Sequence, residues 1–345
     1  MSFKNIKGHS RIISLLQRSI MSGRIAYSYL FVGPESTGKK TTALNFAKVL
    51  NCNNPLYYDQ ELIDCCDSCE GCKKINSSCH PDVKIVEPMG NSLRIDQMRE
   101  IQENIQFKPL MGKWQIVIIE QSEKMTEEAA NSMLKLLEEP PSYIVLILIS
   151  TNLYLLPSTI VSRCQLYRFN LLSPDLVKSL LEKMLNISSD KALLYANIAN
   201  GRVDIAIDLC QKKELEGFRS NIIDLLCGTR GEHIWKISVE KDKINIDKLN
   251  IYKNMEKNSL NFSLSRLYLF LEFILIWWRD LLVFKELGDE KRLINVDKLR
   301  IIQNESGNIS REDIFSRISS VSQAKDSIKK NVNIRLVLEN FVNNL

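Results

Sequence analysis

The sequence predicts an α/β domain built on a parallel sheet with helices on both faces, followed by a small helical unit and a larger all-helical one. Three observations predict it. Strand-like and helix-like segments alternate through about residue 170, the order that builds a parallel sheet by crossover. After Leu172-Ser-Pro174 only the helical period remains. Glycine (13) and proline (9) are sparse for 345 residues, so elements run long.

The elements follow in order. Ser28 followed by Tyr-Leu-Phe-Val-Gly33 is a buried strand, then a glycine-containing loop and a helix from about Lys39. Val83–Val86 is a short strand. Arg94–Phe107 carries Ile95, Met98, Ile101 and Ile105 on one helical stripe. Gln115–Ile119 is a strand, and Glu127–Glu138 a helix stopped by Pro140-Pro141. Ile144–Ile149 and Gln165–Phe169 complete the strands. A small helical unit runs to about Leu209, the charged Gln211–Gly217 stretch is a linker or helix start, and the remainder to Leu345 is all helical.

Composition excludes several classes. Hydrophobic residues at 45% and charged residues at 25% exclude wholesale disorder. A net charge of +5 is too mild to argue for nucleic-acid binding. The first 34 residues hold Lys4, Lys7, Arg11, Arg18 and Arg24 and no acid. A transit peptide reads this way, but an apolar strand and a phosphate loop follow at once and leave no disposable leader. The most apolar stretch, Leu267–Trp278, is interrupted by Glu272 and ended by Arg279-Asp280. It reads as a buried helix, and no membrane association is expected. Nine cysteines without a leader point to a reducing, cytoplasmic setting in which clustered cysteines hold metal.

Gly33-Pro-Glu-Ser-Thr-Gly38-Lys39-Lys40 fits G-x-x-x-x-G-K between a strand and a helix. Such a loop aims backbone N–H groups at phosphate oxygens, and Lys39 would reach the β- and γ-phosphates. The next position should carry the hydroxyl that binds Mg²⁺, and here it is Lys40. Thr41 is rotated by about 100° around the helix and cannot substitute. The second half of the machine should be a strand ending in Asp-Glu. Here Ile116–Ile119 ends in Glu120-Gln121, and Gln121 cannot act as a base. The defects converge on metal and water while the phosphate cradle stays. ATP or ADP binding is compatible with that cradle, as is a relic loop; hydrolysis by this chain is not expected.

Cys66-x2-Cys69-x2-Cys72 is a metal-type spacing that leaves a fourth ligand open among Cys52, Cys65, Cys79 and His80. Adjacent residues rarely both face one tetrahedral ion, which counts against Cys65. An iron–sulfur centre would want a fourth cysteine, followed by proline, about four residues on; position 76 is Asn.

Several segments together resemble the AAA+ clamp-loader subunits. They are Arg24-Ile-Ala-Tyr-Ser-Tyr-Leu-Phe31 running into the phosphate loop, Ser78-Cys-His-Pro-Asp82, Arg94-Ile-Asp-Gln-Met-Arg99, and Glu120-Gln-Ser-Glu-Lys-Met125. Ala130-Asn-Ser-Met-Leu-Lys-Leu-Leu-Glu-Glu-Pro-Pro141, Leu156–Gln165 and Trp277-Trp-Arg-Asp-Leu-Leu282 complete the set. The resemblance covers residues 1–210 and is thinner beyond. It implies an AAA+ P-loop domain over 1–170 with a zinc module at 52–72, a helical lid over 171–210, and a helical collar over 211–345 that oligomerises, with Phe262–Phe284 packing in a pentamer.

The family has motor subunits, gamma and tau, with intact nucleotide motifs, and a stator class with degraded ones. The defects here imply a stator, itself not catalytic but part of the DNA-directed DNA polymerase holoenzyme. Its implied partners are gamma/tau motor subunits and delta in a hetero-pentamer, the sliding clamp, and primed DNA. Arg163 of Ser162-Arg163-Cys164 matches the arginine that projects into a neighbour's ATP site; Thr151 and Asn152 match the first sensor. Asp204 stands where motor subunits carry a second sensor arginine. For the metal, the resemblance implies Zn²⁺ on Cys52, Cys66, Cys69 and Cys72. Rival readings are an ATP-hydrolysing motor subunit, opposed by Lys40 and Gln121, and a stand-alone zinc-binding nucleic-acid-binding protein, opposed by the lack of a basic stripe.

Overall fold

The computed structural model describes residues 2–58, 62–90, 92–211, 213–228, 237–240, 243–246, 264–329 and 332–343. The chain divides into two compact units, one of Met1–Val177 with Asn200–Val203, the other of Lys178–Ala199 with Asp204–Leu345.

The first unit runs α1 (Ser10–Met21), β1 (Ser28–Val32), α2 (Lys39–Leu50), β2 (Leu56–Tyr58), β3 (Leu62–Asp64), α3 (Glu70–Asn76), β4 (Val83–Val86), α4 (Ile95–Ile105), β5 (Gln115–Ile119), α5 (Glu127–Glu138), β6 (Ile144–Ser150), α6 (Ser158–Val161) and β7 (Gln165–Arg168). Five strands form one sheet in the order β4-β5-β6-β1-β7. Every pairing in it is parallel. The expected α/β architecture is thus present.

Alternation along each strand explains the two layers. In β1, Tyr29 and Phe31 enter one core with Phe46 and Ala47 of α2, while Leu30 and Val32 enter the other with Met133 and Leu137 of α5. Both faces are covered, so the strands read as unbroken apolar runs rather than alternating ones. Helix ends are specified locally: Thr126 caps α5 by accepting from Ala129 N at 3.2 Å. Gln97 Oε1 accepts from Arg94 N at 3.2 Å at the start of α4.

The sequence reading assigned neither α1 nor the antiparallel hairpin β2–β3. The helix is amphipathic, with Ile12, Ile13 and Leu16 buried, and was legible in principle. Strands of three residues are too short to show a period.

The second unit contains α8 (Ser189–Ile198), most of α9 (Val203–Gln211), α10 (Lys213–Gly228), α11 (Leu264–Leu287), α12 (Leu299–Ser306), α13 (Arg311–Lys329) and α14 (Ile334–Asn343); α7 (Pro174–Leu185) begins at the end of the first unit. The stretch read as a linker or helix start begins a helix at Lys213. Among the described residues the C-terminal region is helical as expected, except for one two-stranded antiparallel hairpin, β8 (Ile237–Glu240) with β9 (Lys243–Ile246). Of the stretch Phe262–Phe284, Phe262 and Ser263 lie outside the described residues. The rest is α11, with Trp277 and Trp278 fully buried. Asp280, also buried, accepts from the backbone N–H groups of Ile294 and Asn295 at 3.1 and 2.7 Å. The apolar helix is therefore a core element that pins a loop. No described helix is long and apolar enough to cross a membrane.

Candidate functional site

The carboxyl ends of β1, β5 and β6 converge, as sites in open parallel sheets do. The phosphate loop leaves β1 at Gly33, whose N–H donates to Ser150 O at 3.2 Å. Gly38 caps α2 with φ 85°, a left-handed conformation suited to glycine. The loop is braced from below: Thr42 Oγ1 donates to Gly38 O at 2.9 Å, and His9 Nε2 lies 2.7 Å from Thr37 O. His9 is buried edge-on to Phe169 at 4.8 Å between ring centroids, and burial lowers its pKa. A lone histidine gave no signal in the sequence.

Lys39 is 7% exposed, and its ammonium donates to Gly33 O and Pro34 O, each at 2.5 Å. Burial lowers its pKa, opposed by the charges of Glu123 and Glu35. Lys40 points elsewhere. Its Nζ lies 2.5 Å from Glu120 Oε1 and 2.9 Å from Glu87 Oε1. Burial disfavours this charge, but the two carboxylates outweigh it and raise the Lys40 pKa. An ammonium thus bridges the carboxylates where an intact loop would offer a hydroxyl to a metal. Glu87, at the end of β4, is a member of the site that the sequence reading missed; 47 residues separate it from Lys40.

Gln121 follows Glu120 in a left-handed conformation, φ 48° and ψ 46°. Thr151 donates from Oγ1 to Glu123 Oε1 at 2.5 Å, and its backbone N–H donates to the same oxygen at 3.2 Å. The hydroxyl expected to sense phosphate is thus engaged by a carboxylate of this chain. Thr41 follows Lys40 on α2, and its carbonyl accepts from Asn45 Nδ2 at 2.9 Å. Asp204 lies in the first turn of α9.

The far end of α2 leads to a second constellation. Cys52, Cys66, Cys69 and Cys72 present sulfurs within 4.8 Å of one another, a set able to hold a metal ion. The Sγ atoms of Cys52 and Cys66 are 3.5 Å apart, and those of Cys72 and Cys52 are 3.7 Å apart. A tetrahedral ion with bonds of about 2.3 Å needs sulfur–sulfur edges of roughly 3.8 Å. A disulfide needs about 2.05 Å. The donor set fits zinc.

Backbone amides support the sulfurs. Cys66 N donates to Cys52 Sγ at 3.4 Å, Cys69 N to Cys66 Sγ at 3.3 Å, and Cys72 N to Cys69 Sγ at 3.4 Å. Burial opposes ionisation of Cys66, but the Ser68 hydroxyl and the amides of Cys69 and Ser68 outweigh it, bringing the thiol down to about 6. Cys65 is buried beside Asp67, 3.8 Å from its carboxylate, and Cys79 is exposed. His80 accepts from Asp82 N at 3.1 Å through Nδ1. None of these three joins the set.

The module is tied to the sheet by two buried side chains. Asn51 Oδ1 accepts from Lys113 N and Trp114 N at 3.0 and 2.9 Å. Asp82 accepts from Leu110 N, Met111 N and Gly112 N at 2.7, 2.8 and 2.6 Å. Burial raises the Asp82 pKa, and the three amides more than offset this, leaving it below the usual carboxylate value.

Arg163 lies away from the phosphate loop, just before β7. It is exposed and paired with Glu138 at 2.6 Å. It borders an open groove of about 500 Å³ that Tyr27, Glu139 and Gln165 also line.

A family model described as DNA polymerase III, delta subunit, matches residues 8–173. The DNA polymerase III delta' subunit of Bacillus subtilis (strain 168) is 30% identical over 335 residues, 96% of this chain and 94% of that protein. The tau subunit of the same organism is 29% identical over 212 residues, 60% of this chain and 37% of tau. Among solved structures, a DNA polymerase III gamma subunit-related protein from Thermotoga maritima aligns over 95% of this chain and 97% of its own, at 18% identity and a TM-score of 0.40.

Proposed function

This chain belongs to the family of DNA polymerase III delta' subunits, and from that premise we propose that it is the non-motor, stator subunit of a replicative clamp loader. It works in the cytoplasm within a hetero-pentamer with gamma/tau motor subunits and delta, assisting ATP-dependent placement of the sliding clamp on primed DNA. One observation carries the reading: Lys40 lies between Glu120 and Glu87. In a working site, Mg²⁺ bridges nucleotide oxygens and is held by a loop hydroxyl and a strand carboxylate. Here the carboxylate is neutralised from within the chain, and the hydroxyl is absent. Gln121 adds no base.

Arg163 would act outward, in trans. A guanidinium is permanently charged and forks onto phosphate oxygens, and an arginine supplied in trans to an NTPase is worth ~10³–10⁵ in rate. The 1–170 domain would form the body, 171–210 the lid and 211–345 the collar. Cys52, Cys66, Cys69 and Cys72 would hold a structural Zn²⁺, which ties the end of α2 to α3.

Reconstitution tests the reading. The lone chain is expected to release no phosphate from ATP above background. A loader rebuilt with Arg163→Ala is expected to assemble normally and lose at least tenfold in clamp-stimulated ATP turnover. Full turnover with that variant, or turnover by the lone chain, overturns the assignment.

A further inference from the structure

The guanidinium of Arg163 is held from two sides by partners of different kinds. Nη1 donates to Thr159 O at 3.0 Å and to Ser162 Oγ at 3.3 Å. Both acceptors belong to the segment that carries the arginine, so they travel with it and fix its direction. Nη2 donates to Glu138 Oε1 at 2.6 Å, across a separation of 25 residues. Glu138 is the last residue of α5, immediately before Glu139-Pro140-Pro141. Its side chain is 52% exposed and that of Arg163 is 35% exposed. A carboxylate and a phosphate compete for the same N–H face, because each offers paired oxygens that the planar guanidinium fork can bond.

We propose that Glu138 is a latch for Arg163: it holds the guanidinium until the phosphates of a neighbour's nucleotide displace it. The inference rests on the reading of Arg163 as acting in trans. Exposed ion pairs are weak and screened by salt, so this one can release. The γ-phosphate of a nucleoside triphosphate presents more negative charge than one carboxylate and wins the exchange, whereas an ADP-bound neighbour lacks that group and leaves the latch closed. Glu138 then touches no substrate. It is a positioning residue that sets how much nucleotide is needed before the arginine engages. The Thr159 and Ser162 contacts remain through the exchange, so Nη1 stays anchored while Nη2 changes its acceptor.

The test uses the reconstituted loader with clamp and primed DNA, measuring turnover against ATP concentration. Glu138→Gln is expected to lower the half-saturating ATP concentration about two- to fivefold, the range an exposed ion pair allows, with kcat changed by less than about twofold. Glu138→Asp, which keeps the charge, is expected to stay nearer wild type than Glu138→Gln. The shift is expected to shrink in high salt and to vanish in the Arg163→Ala background. An unchanged or raised half-saturation point with Glu138→Gln overturns the latch, as does a shift that persists without Arg163. The underlying reading fails separately: if Arg163→Ala leaves turnover intact, Arg163 has no role in trans and the latch falls with it. If Arg163→Ala lowers turnover while Glu138→Gln changes nothing, the latch alone is wrong.

Discussion

Helix α2 carries a site at each end, and the two have been treated oppositely. At its N-terminus the backbone of a phosphate loop is intact, but the side chains turn inward: Lys39 onto loop carbonyls, Lys40 onto Glu120 and Glu87. At its C-terminus, four sulfurs form a full donor set braced by amides and by two buried polar anchors, Asn51 and Asp82. The first end has closed its charges within the chain, while the second end gathers four sulfurs that could hold an added ion. The contrast shows why a motif's backbone and its chemistry should be judged apart. Loop geometry needs glycines and a helix start; catalysis needs uncommitted side chains.

The largest effect that would sharpen this contrast is at the sulfur end. Protein purified without chelator is expected to carry one Zn²⁺ per chain by elemental analysis. Cys69→Ser is expected to release it and cost about 4 kcal/mol or more, since metal binding is coupled to folding. Zinc-free protein that melts like the holo form would mean that the four sulfurs need no ion.

The polar anchor comes next. Asp82→Ala orphans three backbone amides and is expected to cost about 2–3 kcal/mol in urea unfolding. Its pKa is lowered in the folded chain, so its contribution is complete above the ordinary value of 3.8 and is lost as pH falls through the lower folded value. Asp82→Asn should therefore flatten the acid limb of the stability profile; an unchanged limb would remove Asp82 from the account.

At the other end the effects shrink. Lys40→Ser leaves Glu87 and Glu120 facing each other and is expected to cost under about 1 kcal/mol, because Lys40 is 45% exposed. It should not create ATP turnover, since Gln121 remains and groups that act together are not restored singly. Mg²⁺-dependent phosphate release by this variant would mean that the loop is one substitution from working. The smallest expected effect is none at all: Lys39→Ala and wild type should give the same background phosphate release from the lone chain.

The sequence exposed the architecture where strands are long and covered on both faces. Ile116–Ile119 and Ile144–Ile149 are unbroken apolar runs that could hardly be misplaced. It concealed the hairpin β2–β3, whose three-residue strands are too short to show a period, and β8–β9, whose four-residue strands alternate apolar and polar residues within a region that otherwise reads as helical. Among site residues, the cysteines were legible because three of them share a tight local spacing. Cys52, 14 residues upstream of Cys66, needed the family resemblance. The Lys40 bridge was half legible. Its lysine stood out as a misfit, but Glu87 and Glu120 come from the ends of two other strands, and only the sheet order β4-β5-β6-β1 brings them beside α2. Glu138 and Arg163 meet for the same reason, through tertiary packing with no local signature.

Gly33 has a bearing on how such chains are found and sorted. A Cβ at this position would lie 2.0 Å from Phe169 O, while the Gly33 N–H is bonded to Ser150 O. The residue is squeezed between the strand ends on either side of β1, and that squeeze exists whether or not a nucleotide ever arrives. Selection for ligand binding could lapse entirely and the glycine would still be irreplaceable. A pattern search that scores G-x-x-x-x-G-K as one signature therefore counts an architectural requirement as a biochemical one. In chains of this kind it scores the loop without testing whether nucleotide chemistry accompanies it. A discriminating search would give no weight to Gly33 and full weight to positions 40, 120 and 121.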